Sequence, residues 1–127
     1  MENKPLVLVA DDNPDICDLL QVALGRLGVR VTVVYNGRDA YEKIVAERPA
    51  LALLDLMMPE MTGLEVLTAL RSDDRFKDLP VIMITARTQD DDVERGFALG
   101  ATDYVTKPFN VKDLSGKVAS IVGLGTE

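Results

Sequence analysis

Short apolar runs alternate along this chain with longer stretches whose apolar residues recur every three or four positions, the marks of strands and of amphipathic helices in turn. The runs Leu6 to Ala10, Arg30 to Val34, Leu51 to Leu54, Val81 to Thr85 and Asp103 to Thr106 predict five strands. Alternation of this kind predicts a parallel sheet of five strands. The first helix is predicted from an Asn13 cap with Pro14 in its first turn, with Ile16, Leu20, Ala23, Leu24 and Leu27 as its apolar face and Gly28 as its stop. Thr62-Gly63-Leu64-Glu65 has the spacing of a capping box and opens a third helix. Thr88-Gln89-Asp90-Asp91 opens a fourth, which Gly100 ends. The last helix runs from about Val111, with Val111, Leu114, Val118 and Ile121 on one side. It carries Gly116 inside, worth about 1 kcal/mol against helix relative to Ala, and its end is expected to fray around Gly123 to Gly125.

Two of the apolar runs end in carboxylates: the first leads into Asp11-Asp12 and the third into Asp55. If those strands lie side by side, three acids share the crevice outside the carboxyl ends of the sheet, where ligands of open α/β sheets bind. At ~5 Å and an effective dielectric of ~20, each like-charged pair costs on the order of 3 kcal/mol, so a hard divalent cation is the natural neutraliser. The fourth run ends at Thr85 and the fifth leads to Lys107-Pro108, adding a hydroxyl and an ammonium. Carboxylates, a divalent ion, a hydroxyl and a lysine are the parts of a phosphoryl-transfer site, in which positioning and charge neutralisation supply most of the catalysis. Asp55, on the central run and flanked by the other two acids, is the expected nucleophile, and its product is an aspartyl phosphate.

A chain of 127 residues with 47% hydrophobic content predicts a single domain over residues 1–127, with about 5–122 as the folded core. No apolar stretch is long enough to span a bilayer, and Met1-Glu2-Asn3-Lys4-Pro5 lacks the basic and apolar regions of a signal peptide, so a cytoplasmic location and no membrane partner are expected. A net charge of −7 argues against direct contact with nucleic acid, which needs clustered Lys and Arg. Cys17 is the one cysteine and reads as a small helix residue. Histidine is absent, which removes Ser-His and Cys-His nucleophiles and His-rich zinc sites.

Asp11-Asp12, Asp55-Leu56-Met57-Met58-Pro59 with Gly63, Thr85-Ala86, Gly100-Ala101, Tyr104 and Lys107-Pro108-Phe109 occur in one order and spacing over nearly the whole chain. In this the chain resembles the receiver domain of two-component response regulators. The resemblance implies a flavodoxin-like fold: an α/β doubly wound (βα)5 domain whose parallel five-stranded sheet has strand order 2-1-3-4-5. It implies Asp55 as phosphoacceptor and Mg2+ or Mn2+ as cofactor. Asp12, Asp55 and the backbone carbonyl of Met57 would be direct ligands, with Asp11 acting through water. Thr85 and Lys107 would hold the phosphoryl oxygens, Thr85 and Tyr104 would form the switch, and Lys107-Pro108 would be a cis peptide. The implied donor is a histidine kinase or histidine phosphotransfer protein, which suits a chain that has no histidine of its own. The implied output surface, toward an output domain, a partner protein or a second copy, is the face of the fourth helix, fifth strand and fifth helix, with Arg95, Phe97 and Lys112 upon it. Met57 and Arg87, two residues after the acceptor and two after the threonine, would tune the lifetime of the phosphoryl group.

Taken singly, each of these residues has a plainer reading. Asp-Asp before Asn13-Pro14 is a helix-capping turn, Asp55 a turn residue, Thr85 a small cap, Lys107 a solvated loop lysine and Tyr104 a strand-edge packer. Shared strand-end position is what turns the set toward chemistry. Met57, Met58 and Met61 read as packing or loop filling, and Asp90-Asp91-Asp92 as charge favouring a helix N-terminus. Three other functions share parts of the pattern. A flavin-binding domain would have its phosphate repelled by Asp11-Asp12, and a hydrolase would need a second acid where Met57 stands. A pseudo-receiver, acting as an interaction module without phosphorylation, would not need the intact acid set.

Overall fold

The computed structural model describes residues 4–85 and 97–123. Strands β1 (Leu6–Ala10), β2 (Arg30–Val34), β3 (Leu51–Asp55), β4 (Val81–Thr85) and β5 (Asp103–Thr106) form one parallel sheet in the order β2-β1-β3-β4-β5, as the resemblance implies. Successive residues of a strand point to opposite faces, so each buried strand feeds two cores. On one face Leu8, Ala10, Ala52, Leu54 and Met83 pack with Ala40 and Ile44 of α2 (Gly37–Glu47) and Val66, Leu67 and Leu70 of α3 (Gly63–Arg71). On the other, Val7, Val9, Leu51, Leu53, Ile82 and Ile84 pack with Cys17, Leu20 and Leu24 of α1 (Pro14–Gly25) and Leu114 and Val118 of the C-terminal helix (Val111–Val122). Burial on both faces is why β1, β3 and β4 carry apolar sequence up to Asp55 and Thr85, the polar residues that end β3 and β4.

The helix starts follow their caps. The Asn13 side chain accepts the Asp15 N–H at 2.9 Å with Pro14 in the first turn, and Thr62 and Glu65 form the reciprocal capping box. Three boundaries differ from the sequence reading or refine it. α1 stops at Gly25, three residues before Gly28, because Leu27 and Gly28 donate to Leu24 and Gly25 and tighten the last turn; Gly28 then takes φ +87. β3 extends to Asp55, which pairs with Ile84 of β4. The C-terminal helix is regular through Val122 and capped by Gly123 at φ +80, with the Gly123 N–H on the Ala119 carbonyl; the rest of the segment expected to fray, Leu124 and Gly125, lies outside the described residues. Gly116 faces open space, so its missing side chain leaves no hole. The predicted start of the fourth helix at Thr88, with Ala86, Arg87, Asp90-Asp91-Asp92 and Arg95, lies outside the described residues. Its expected stop, Gly100, takes φ +105. Among the described residues no helix is long and apolar enough to cross a membrane.

Candidate functional site

Strand register builds the crevice. Ala10 pairs with Leu54, so Asp11, one residue beyond β1, sits level with Asp55 at the end of β3. Thr85 and Thr106 pair at the ends of β4 and β5, and Lys107 follows directly, its N–H on the Thr85 carbonyl at 2.6 Å. One carboxylate oxygen from each of Asp11, Asp12 and Asp55 lies within 4.8 Å of the others. Asp11 and Asp55 are buried, at 1% and 6% exposure, while Asp12 faces solvent.

The side chains lock into one another. Asp11 Oδ1 accepts the Asn13 N–H at 2.9 Å, which ties it to the start of α1. Asp55 Oδ1 accepts the Met57 N–H at 3.3 Å. The Lys107 ammonium lies 2.8 Å from Asp11 Oδ2 and 3.4 Å from Asp55 Oδ2. Cys17 Sγ donates to the Asp11 carbonyl at 3.3 Å and bears out the small-residue reading; burial first, then the Asp11 charge, pushes its thiol up to about 11. The Lys107-Pro108 peptide is cis. Thr85 is buried at the end of β4.

Electrostatics follow from this packing. Burial, and next the charge of Asp11, raise the Asp55 carboxyl from 3.8 to about 6, against the pull of Lys107 and the Met57 N–H. Burial alone would lower Lys107, but its hydrogen bond to Asp11 and the charges of both acids outweigh it and hold the ammonium above its ordinary value. Among the described residues the Lys107 ammonium thus contacts two of the three clustered carboxylates, Asp11 and Asp55. The donors are all carboxylate oxygens, hard ligands that suit Mg2+ or Mn2+ and not a thiolate-seeking metal.

Not every expected residue meets in the crevice. Tyr104 pairs in register with Met83, inside β5, and its ring contacts Phe97, centroids 6.2 Å apart. Phe97 and Lys112 are exposed, while Arg87 and Arg95 lie outside the described residues. The three methionines diverge: Met58 is buried in the core, Met61 packs against it, and Met57 is 63% exposed. Two features had no sequence signal. Lys107 reaches Asp11 more closely than Asp55. Arg71, at the end of α3, donates from Nε and Nη2 to the Gly100 carbonyl and from Nη1 to that of Phe76, clamping the turn that leads into β5.

Comparison with known proteins agrees with this geometry. Residues 7–119 match the family model of the response regulator receiver domain. Over 118 residues the chain is 39% identical to the DNA-binding dual master transcriptional regulator RpaA of Synechocystis sp., covering 93% of this chain and 49% of that protein. The chain therefore spans about half the length of this curated relative. Among solved structures it resembles the receiver domain of the Francisella response regulator 1452, at 30% identity and TM-score 0.88 over 94% of this chain and 98% of that one. It also resembles the chemotaxis protein CheY4 of Vibrio cholerae, at 31% identity and TM-score 0.87 over 94% and 99%.

Proposed function

This chain belongs to the response regulator receiver domain family of two-component signalling, and on that premise we propose that Asp55 accepts a phosphoryl group from the phosphohistidine of a histidine kinase or histidine phosphotransfer protein. In that transfer the donor's P–N bond breaks and a P–O bond to the Asp55 carboxylate forms. The observation that carries the reading is the buried Asp55 carboxylate, 3.4 Å from Lys107 and clustered with Asp11 and Asp12 at the carboxyl end of the sheet. Asp12, Asp55 and the Met57 carbonyl hold Mg2+ or Mn2+, with Asp11 acting through water. Bound there, the ion neutralises the carboxylates and offers positive charge to phosphoryl oxygens. Lys107 turns its ammonium, and Thr85 its hydroxyl, to those same oxygens. Asn13 and Met57 N–H groups keep Asp11 and Asp55 oriented.

Phosphorylation then shifts a two-state surface through Thr85 and Tyr104. A swing from about 1:99 to 99:1 requires roughly 5.5 kcal/mol of differential stabilisation. The responding face comprises the fourth helix, β5 and the C-terminal helix, with Arg95, Phe97 and Lys112, and it controls an output domain, a partner protein or a second copy in a homodimer. Net charge −7 argues that any nucleic-acid contact lies outside these residues, and a cytoplasmic location accords with a cytoplasmic kinase. Met57 and Arg87 set the phosphoryl lifetime by obstructing water.

Incubation with acetyl phosphate, with and without Mg2+, followed by intact mass of the wild type and Asp55→Ala, tests the proposal. A phosphoryl adduct that needs both Mg2+ and Asp55 is expected. No adduct in freshly prepared wild type would overturn it in favour of a phosphorylation-independent pseudo-receiver.

A further inference from the structure

We propose that Gly37, at the start of α2, is a positioning residue for the cation site: it lets the backbone of α2 lie against the loop 56–62 and so holds the Met57 backbone in place. The proposal rests on the cation reading above and extends it to a residue outside the crevice. The loop 56–62 joins Asp55 to α3. Its ends are tied by Leu56 N–H to the Ile84 carbonyl at 2.8 Å and Gly63 N–H to the Leu56 carbonyl at 2.9 Å. Between them Glu60 sits at φ +73, a left-handed conformation that is unfavourable for a non-glycine residue and persists only where the surroundings impose it.

The start of α2 is one such constraint. The Gly37 N–H donates to the Pro59 carbonyl at 3.2 Å, and a Cβ placed on buried Gly37 would overlap the Met61 carbonyl oxygen and crowd its carbon and Cβ. Those are mostly backbone atoms, which cannot swing aside as the tip of a long side chain can. Gly37 has no positive φ to demand glycine, and Ala is the better helix former, so the backbone approach is what requires glycine here. Any side chain at 37 therefore pushes on 59–61. Two residues before Pro59 is Met57, whose N–H orients Asp55 Oδ1. Displacing residues that orient metal ligands lowers metal affinity about 10–100-fold.

The test is calorimetric titration of Mg2+ into the metal-free wild type, Gly37→Ala and Asn36→Ala, each with a thermal melt. Asn36 caps the same helix by accepting the Asp39 N–H at 2.8 Å, so its loss weakens α2 without pushing on the loop. Gly37→Ala is expected to weaken Mg2+ binding about tenfold or more, while Asn36→Ala lowers the melting temperature and leaves affinity near wild type. Wild-type affinity in Gly37→Ala, or an equal loss in Asn36→Ala, overturns the proposal alone. If wild type binds no Mg2+, the cation reading falls and this one with it. Should Gly37→Ala fail to fold, wild-type amide exchange decides. Because coupling is reciprocal, saturating Mg2+ should slow exchange at the Gly37 N–H by at least about fivefold more than at Ile44 of the same helix. Equal slowing at both positions overturns the proposal.

Discussion

Replacing Asp55 by Asn keeps the shape of the side chain, removes its charge and should stabilise the metal-free protein. Burial first and the Asp11 charge second lift the Asp55 carboxyl from 3.8 to about 6. The folded state therefore retains a proton that the unfolded chain has already released between about pH 4 and pH 6. Stability falls as pH rises through that window, and the loss is complete above it. At roughly 1.4 kcal/mol per pH unit, a rise of about two units corresponds to about 3 kcal/mol. That figure is an upper bound: exposed Asp12 marks a crevice open to water, and the substituted amide forgoes the 3.4 Å ionic contact with Lys107 while the 2.8 Å Asp11 contact remains. Asp55→Asn should then exceed wild type by about 1–3 kcal/mol at pH 7.5, a rise of several degrees in melting temperature. Urea and thermal unfolding in EDTA, from pH 4 to pH 8, measure the difference. The gap should close toward pH 4, where both side chains are neutral, and should narrow at pH 7.5 in saturating Mg2+, which only wild type binds with its full set of acids. An Asn variant no more stable than wild type at pH 7.5 in EDTA, or a gap independent of pH, would refute the electrostatic reasoning.

Lys107→Met removes the ammonium shared by Asp11 and Asp55 and should lower stability above pH 7 by roughly 2–4 kcal/mol, with the loss shrinking on acidification as Asp55 takes up its proton; a small, pH-independent loss in urea melts would contradict it. Arg48, the C-cap of α2, sits at φ 49, so Arg48→Gly should stabilise by about 1 kcal/mol, and a lower melting temperature would count against the left-handed assignment. Cys17 is fully buried with its thiol pushed up to about 11, so an aromatic disulfide reagent at pH 8 should label it only as fast as the protein unfolds; rapid labelling of the native state would show the α1 packing to be loose. Met57→Asn should shorten the life of the phosphoryl group by admitting water beside Asp55, and an unchanged dephosphorylation time course would remove Met57 from lifetime control.

How much of this was legible in the sequence depends on whether a contact leaves a trace in residue type. The strands were, because β1, β3 and β4 are buried on both faces and are apolar throughout except where β3 and β4 end in Asp55 and Thr85. So were the caps at Asn13 and Thr62, whose side chains do the capping. The acid cluster followed once β1 and β3 were taken as neighbours, since register alone brings Asp11 and Asp55 level. Helix ends were less legible: α1 stops at Gly25 through backbone hydrogen bonds that its residues do not encode, while Gly28, the visible signal, serves the turn beyond. Lys107 could be placed at the site, but its closer approach to Asp11 depends on the rotamer of its own side chain, and spacing carries no such information. Gly37 is the limiting case. Its partners, the carbonyls of Pro59 and Met61, are backbone atoms that any residues would supply, so the only trace of the contact is one missing Cβ. At a helix start a glycine reads as an ordinary cap. The overlap that a Cβ at 37 would have with the Met61 carbonyl is what ties that glycine to the loop carrying Met57, and a contact of this kind stays hidden in sequence wherever backbone packs on backbone.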